Sequence, residues 1–364
     1  MKDKTSHIDL LLSMLAIPAI SRDENARADF LEQWMANHDI PLRRMHNNLL
    51  AGNLPVANDR PVVLLNSHID TVPPVEGWEG DPFRPLMAGG RITALGSNDA
   101  GASVISLLHT FIALHDELAK DMHLLLLLSA EEEVSGSNGL SAIWPSLPLP
   151  DMVIVGEPTG MQPAVAERGL MVLDAKVFGK AGHAARKEGE NAIYKALKDI
   201  RAIEELSFGE HSAWLPDPGA QVTMISAGKR HNVVPDLCSF VVDVRSNDLY
   251  SNERLLEMIR ERCTATLVPR STRLRSSSLD RDHVLMQTVR ACGLRPFGSQ
   301  TMSDMALIPV PAVKMGPGDS ARSHTAGEYI RLDELEAGIA GYSHFLRTLA
   351  RQPGFAELKY EKGT

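Results

Sequence analysis

Four short runs, Val62–Asn66, His123–Ser129, Met152–Val155 and Ala312–Met315, constrain the fold of this chain more than anything else in it. They are largely apolar at successive positions, the pattern of strands buried on both faces. Between the first two, Ala102–Leu118 repeats Val104, Leu107, Leu108, Phe111 and Leu114 at helical spacing, and Leu332–Leu349 reads as a closing helix. Strands alternating with helices predict an α/β domain, a mainly parallel sheet flanked by helices.

From about Glu167 the texture changes. Gly169–Phe178 alternates like a half-buried strand, as do Gln221–Ala227 and Ser239–Arg245, while Asn191–Glu205 and Asn252–Thr264 read as helices. That order predicts an inserted α+β sandwich with an antiparallel sheet. The α/β texture returns after Ser276–Ser278. The 364 residues therefore divide into a discontinuous domain, 1–166 with 273–364, and an inserted one, 167–272.

In open α/β sheets, ligand groups gather at the carboxyl ends of strands. After Val62–Asn66 come His68 and Asp70, and Asp99 stands directly before a predicted helix. Glu131-Glu132-Glu133 follows the second strand, Glu157 the third, and His324 lies beyond the last. Singly, each has an ordinary explanation: an Asp before a helix is commonly an N-cap, and a run of Glu a solvated loop. Together they fall on one edge of one sheet, where three or more carboxylates repel unless a cation neutralises them. Imidazole nitrogen with carboxylate oxygen suits Zn²⁺, and two histidines with three carboxylates suffice for two metals sharing a bridging carboxylate. His68 would then bind metal through one ring nitrogen while Asp70 accepts a hydrogen bond from the other.

Seven stretches in order, SHIDTVP, GSNDAG, EEEVSGSNG, GEPTG, GHAARKEGENAI, NVVPD and SHTAGEYI, resemble the motifs of a dinuclear zinc amidohydrolase family. Its members include acetylornithine deacetylase, succinyl-diaminopimelate desuccinylase, aminoacylase-1 and carboxypeptidase G. The resemblance covers nearly the whole chain and implies two Zn²⁺ per chain, with Co²⁺ able to substitute. It implies that His68 and Glu157 bind one metal, Glu133 and His324 the other, and that Asp99 bridges them. The family run is Asp-Glu-Glu; here it is Glu-Glu-Glu. Aligning Gly139 with the family glycine makes Glu131 the Asp substitute, Glu132 the general base and Glu133 the ligand; a shift by one remains the alternative. The family often has Asp-Met-Lys-Gly where this chain has Asp99-Ala100-Gly101-Ala102, and a cis Asp99–Ala100 peptide is implied.

The implied reaction is amide hydrolysis, with Glu132 taking a proton from water and passing it to the departing amine. The resemblance assigns His183 to oxyanion stabilisation in a partner subunit's site, and Asn232 and Arg245 to holding the substrate. Asp304, Gly316 and Gly318 are placed near the pocket, with Asp304 suited to a cationic, ornithine-like end. The wording of the motifs is most similar to acetylornithine deacetylase relatives, implying removal of an acetyl or succinyl group from N²-acyl-ornithine or N²-acyl-citrulline in arginine biosynthesis. A dipeptidase or carboxypeptidase is the alternative, and a catalytically silent ligand-binding relative a further one. A homodimer through the inserted lid and dimerisation domain is expected.

Several classes are excluded by composition. The net charge of −9 argues against nucleic acid. No stretch approaches the roughly 20 apolar residues that span a bilayer. The N-terminal stretch has Asp9 inside its apolar patch and no small-residue cleavage pattern, and reads as a first helix. Cys238, Cys263 and Cys292 form no CxxC pair and read as reduced residues of a cytoplasmic protein. No GxGxxG follows a strand, which sets aside a dinucleotide enzyme.

Overall fold

The computed structural model describes residues 6–57 and 59–358. They fall into two compact units, one within 6–165, 279–297 and 303–358, the other of 166–278 with 298–302.

The first unit is built on β1 (Leu42–Met45), β2 (Asn48–Ala51), β3 (Val62–His68), β4 (His123–Ser129), β5 (Met152–Val155) and β6 (Ala312–Lys314). Their spatial order is β1-β2-β4-β3-β5-β6, with β4, β3, β5 and β6 parallel and the β1–β2 hairpin joined antiparallel to β4. Every residue of β2, β3 and β5 is buried, and all of β4 but His123. Such runs of β-branched residues and leucine have no solvent face, so they fit only inside a covered parallel sheet. Each fully buried Leu or Val contributes about 1.5–3 kcal/mol relative to exposure.

The covering helices include α1 (His7–Leu15), α2 (Asn25–Asn37), α3 (Ala102–Leu114) and α4 (Leu332–Leu349). Ser6 caps α1 by accepting from the Asp9 amide, while residues 1–5 of that stretch lie outside the described residues. The helix expected over Ala102–Leu118 ends at Leu114. β3 runs two residues further than expected, so His68 is its last residue and leaves the sheet at the carboxyl edge.

The second unit has a four-stranded antiparallel sheet in the order Gly219–Ala227, Leu237–Ser246, Gly169–Phe178, Thr266–Pro269. Alternate residues Met171, Leu173, Ala175 and Val177 meet Cys238, Phe240, Val242 and Val244 in one core. Helices Ala192–Glu204 and Asn252–Arg262 cover that face with Ala192, Ala196, Ile203, Leu255, Leu256 and Ile259. Asn191 and Ser251 cap them, each side chain accepting a backbone N–H from the first turn. The mixed α/β architecture with a separate antiparallel sheet is the one expected.

Candidate metal centre

The parallel strands deliver their chemistry at one edge. β3 ends in His68, β4 leads into Glu131-Glu132-Glu133, β5 into Glu157, and the segment after β6 carries His324. Asp99 sits in the tight turn Ser97–Gly101 that opens α3, and the Asp99–Ala100 peptide is cis.

His68 Nδ1 lies 3.0 Å from the carbonyl of Asp70, which can only accept, so Nδ1 carries the proton. Its Nε2 therefore faces Asp99 Oδ1 at 3.2 Å and Glu157 Oε1 at 3.6 Å. His324 Nε2 faces Glu133 Oε2 at 3.0 Å and Asp99 Oδ2 at 3.6 Å. Three donor sets have atoms within 4.8 Å of one another: His68, Asp99 and Glu157; Asp99, Glu133 and His324; and His68, Glu132 and Glu133. The first two share Asp99.

The charges show what the cluster wants. Burial, with the neighbouring carboxylates, drives Glu157 well above the usual carboxylate range, against the pull of the His68 and Lys314 charges. Glu132 is likewise raised well above that range, chiefly by burial. Glu133 is also raised by burial, while its hydrogen bond lifts His324 to about 9. Asp99 is held low by His68 in spite of burial. An imidazole lone pair facing only acceptor oxygens needs a proton or a metal between them, so the donor set fits divalent cations.

Three non-glycine residues beside this cluster have a left-handed backbone. Glu131, Ser135 and His324 have φ of 54°, 44° and 58°, a region unfavourable for side-chain-bearing residues and tolerated where the surroundings over-determine it. The left-handed Glu131 turns its side chain away from its two neighbours. Its carboxylate accepts from Asn138 N at 3.2 Å and Asn138 Nδ2 at 2.9 Å, and it is 5% exposed.

Comparison with known proteins follows the same lines. Residues 64–348 match the pattern of peptidase family M20/M25/M40. The chain belongs to that family. It is a metal-dependent amide hydrolase of the M20 type. It is 30% identical over 323 residues to an acetylornithine deacetylase from Myxococcus xanthus, covering 82% of this chain and 84% of that one. A succinyl-diaminopimelate desuccinylase from Rhizorhabdus wittichii is 25% identical over 312 residues, covering 79% and 81%. Among solved structures, the aminopeptidase PepT of Bacillus cereus shares the fold with a TM-score of 0.76, 18% identity, and coverage of 96% and 99%.

Within this M20 chain the remaining expected residues have definite surroundings. Asp70 is fully buried; its nearest partners are Ser21 Oγ at 2.6 Å and the amides of Glu132 and Glu133, while His68 Nδ1 is 3.6 Å from its carboxylate. The imidazole proton is thus taken by the Asp70 carbonyl, not primarily by its carboxylate as expected. Asp304 also differs from expectation. It is 3% exposed, accepts from Ser129 Oγ at 2.6 Å, and burial raises it to about 6. A carboxylate sealed under β4 is not an accessible anion for a substrate's cationic end.

Gly316 and Gly318 serve close approach. A Cβ on Gly316 would lie 2.4 Å from Ser103 Oγ and 2.5 Å from the Glu157 carbonyl. Gly318 has φ of 93°, and a Cβ there would meet Asn98 Oδ1 at 2.3 Å. Both let the segment after β6 lie against the loops bearing Glu157 and Asp99.

In the second unit, exposed His183 accepts from Ala185 N through Nδ1 at 3.2 Å. Its two-residue strand pairs with Val233–Val234, and Ala184 N donates to the carbonyl of exposed Asn232 at 3.1 Å. Arg245 is paired with Asp243, two residues back on the same strand face, at 2.7 and 3.0 Å.

Three contributors escaped the sequence reading. Arg27, 1% exposed, donates to the carbonyls of Ile17 and Ile69, and burial lowers it to about 10 against the pull of Asp70 and Glu328. Its signal was available, since Arg27 shares the apolar face of α2 with Leu31, Trp34 and Met35. Lys314 ends β6 with 2% exposure beside Glu157. Glu328 stands four residues after His324, inside the stretch SHTAGEYI.

Proposed function

We propose that this chain is a dinuclear N-deacylase that removes an acetyl or succinyl group from N²-acyl-ornithine or N²-acyl-citrulline in arginine biosynthesis. The observation that carries the reading is the pair of three-donor sets sharing Asp99, with Glu132 alongside. His68 and Glu157 would hold one cation, Glu133 and His324 the other, and Asp99 both. Zn²⁺ suits these donors, and Co²⁺ substitutes for it. When bound, such cations supply Lewis acidity to the scissile carbonyl and make water easier to deprotonate.

The chain's own residues do the rest. Asp70 holds the amides of Glu132 and Glu133 at 3.1 and 3.2 Å, which orients both side chains. Glu132 Oε takes the proton of the attacking water and delivers it to the departing amine nitrogen. His183, Asn232 and Arg245 are the second unit's candidates for holding the oxyanion and substrate carboxylate, His183 reaching across from a second copy. Support for a homodimer comes from the sheet's edge strand Gly219–Ala227, where Met224 and Ile225 are 64% and 53% exposed. A cytoplasmic location accords with the three free cysteines, and no described helix is long and apolar enough to cross a membrane.

The choice of amide leans on the Myxococcus xanthus deacetylase, the relative at 30% identity. A peptidase reading is favoured by the fold shared with aminopeptidase PepT. A panel of N-acetyl and N-succinyl amino acids and short peptides, assayed with Zn²⁺ or Co²⁺, separates them. Turnover of peptides alone overturns the deacylase reading.

A further inference from the structure

Glu328 is 2% exposed, lies within reach of the Arg27 and His324 charges, and has both carboxylate oxygens engaged by backbone amides. Oε1 accepts the amide of Asn98 at 2.8 Å and that of Asp99 at 2.9 Å, and Oε2 accepts the amide of Gly96 at 3.0 Å. Three N–H groups of one turn therefore converge on one carboxylate. Leaving any of these three buried N–H groups without an acceptor is costly, so the carboxylate fixes the backbone of Asp99 itself.

A second tie runs the same way. Asn98 Nδ2 donates to the Asp319 carbonyl at 3.1 Å and Ser323 Oγ at 3.3 Å, while Asn98 Oδ1 accepts from Asp319 N at 3.0 Å. The segment from Asp319 to Glu328 thus grips the Asp99 turn at both ends and carries His324 between the two grips. Asp99 and His324 belong to one donor set, and Asp99 also to the other.

We propose that Glu328 is a positioning residue, which locks the turn bearing Asp99 in register with the segment bearing His324 and thereby sets the affinity of both cation sites. This rests on the reading of Asp99 as a shared cation ligand. The carboxylate does not touch substrate or cation; it acts through the backbone of the ligand. Loss of such an outer partner typically weakens metal binding by about 10–100-fold. Glu328→Gln keeps the shape but turns an NH₂ group toward one or more of the three amides. Glu328→Ala leaves all three without an acceptor.

The test uses metal-free full chain titrated with Zn²⁺ by calorimetry and with Co²⁺ by visible absorption, beside thermal melts without metal. The expected order of affinity is wild type, then Glu328→Gln about 10–100-fold weaker, then Glu328→Ala weaker again, with a changed Co²⁺ spectrum. Variants that melt earlier but keep wild-type affinities and spectrum overturn the proposal, because a merely structural carboxylate behaves that way. Should the variants not fold, amide exchange of the wild-type metal-free protein decides: protection at Gly96, Asn98 and Asp99 supports the lock, and free exchange there overturns it. Failure of the wild type to take up divalent cations brings down the cation reading and this proposal with it. Two bound cations in wild type with unaltered variants bring down the positioning role alone.

Discussion

Asp70 Oδ1 accepts the backbone amide of Glu132 at 3.1 Å, and its other oxygen accepts that of Glu133 at 3.2 Å. One buried carboxylate at the end of β3 therefore sets the turn at the end of β4. Ser21 Oγ, at 2.6 Å, completes its shell, and the His68 charge helps hold it below the usual carboxylate range despite burial. Asp70→Asn has one acceptor oxygen where two are used. Its expected effect is about a 10–100-fold loss of kcat/KM with the fold retained. Steady-state kinetics with a circular dichroism control measure it, and wild-type kinetics would remove Asp70 from the machinery.

The three consecutive glutamates separate by their partners. Glu132→Ala should keep its metals and lose about 10²–10⁴-fold in turnover, the usual contribution of a general base. Glu133→Ala should lose metal. Glu131→Ala, which forfeits both bonds from Asn138, should reduce stability while leaving metal content intact. Plasma emission spectroscopy beside kinetics reads all three. If Glu131→Ala is the metal-replete, inactive variant, the assignment is off by one.

Asp99 is the one residue common to both proposed cation sets. Asp99→Ala should therefore weaken both, leaving fewer than two metals per chain after dialysis. Chelator treatment of the wild type should abolish activity and added Zn²⁺ or Co²⁺ restore it. Full retention of metal by Asp99→Ala would sink the shared-ligand assignment.

His109 gives a pH signature away from that centre. It lies in α3 with its ring 5.7 Å from His7 and 6.3 Å from Trp34, which stacks on His38. Burial, reinforced by His7 and His38 and opposed by Glu336, pushes it down to about 4. In the unfolded chain a histidine titrates near 6.5, roughly its ordinary value. Between these values the unfolded chain binds a proton that the folded chain refuses. Stability is thus complete above about pH 6.5 and falls as pH drops through the window toward 4. Urea midpoints across that range should decline less steeply for His109→Gln. An identical slope would show that His109 takes up its proton in the folded protein.

The proposed dimer makes a complementation test possible. His183→Ala and Glu132→Ala should each be nearly inactive. After dissociation and mixing, half the molecules should be heterodimers with one site holding both residues, so about a quarter of wild-type activity should return. No recovery, with heterodimers verified by native mass spectrometry, means that His183 does not serve a partner's site.

Much of the fold could be read from local pattern. The runs at His123–Ser129, Met152–Val155 and Gly169–Phe178 are strands over those same residues, because side-chain periodicity against a covered or half-covered sheet is a local property. The acids and histidines of the candidate metal centre stand at legible places too, since strand ends in a parallel sheet share one edge. Their partners were not. Glu328 and Gly96 are 232 residues apart, and Ser129 and Asp304 are 175 apart. No periodicity joins such positions.

What the sequence by itself determined is therefore the layered α/β architecture, the antiparallel sheet of the second unit, and the inventory of metal-capable side chains. The tertiary structure decided how those side chains are used. It turned Glu131 toward Asn138, sealed Asp304 beneath Ser129, gave the His68 proton to the Asp70 carbonyl, and set Glu328 behind Asp99. The physical reason is the short range and directionality of hydrogen bonds. A bond of about 3 Å has a definite donor angle, and both depend on where distant segments come to rest. Hydrophobic periodicity tolerates shifts of that size, so it specifies a strand without specifying which way its terminal carboxylate points.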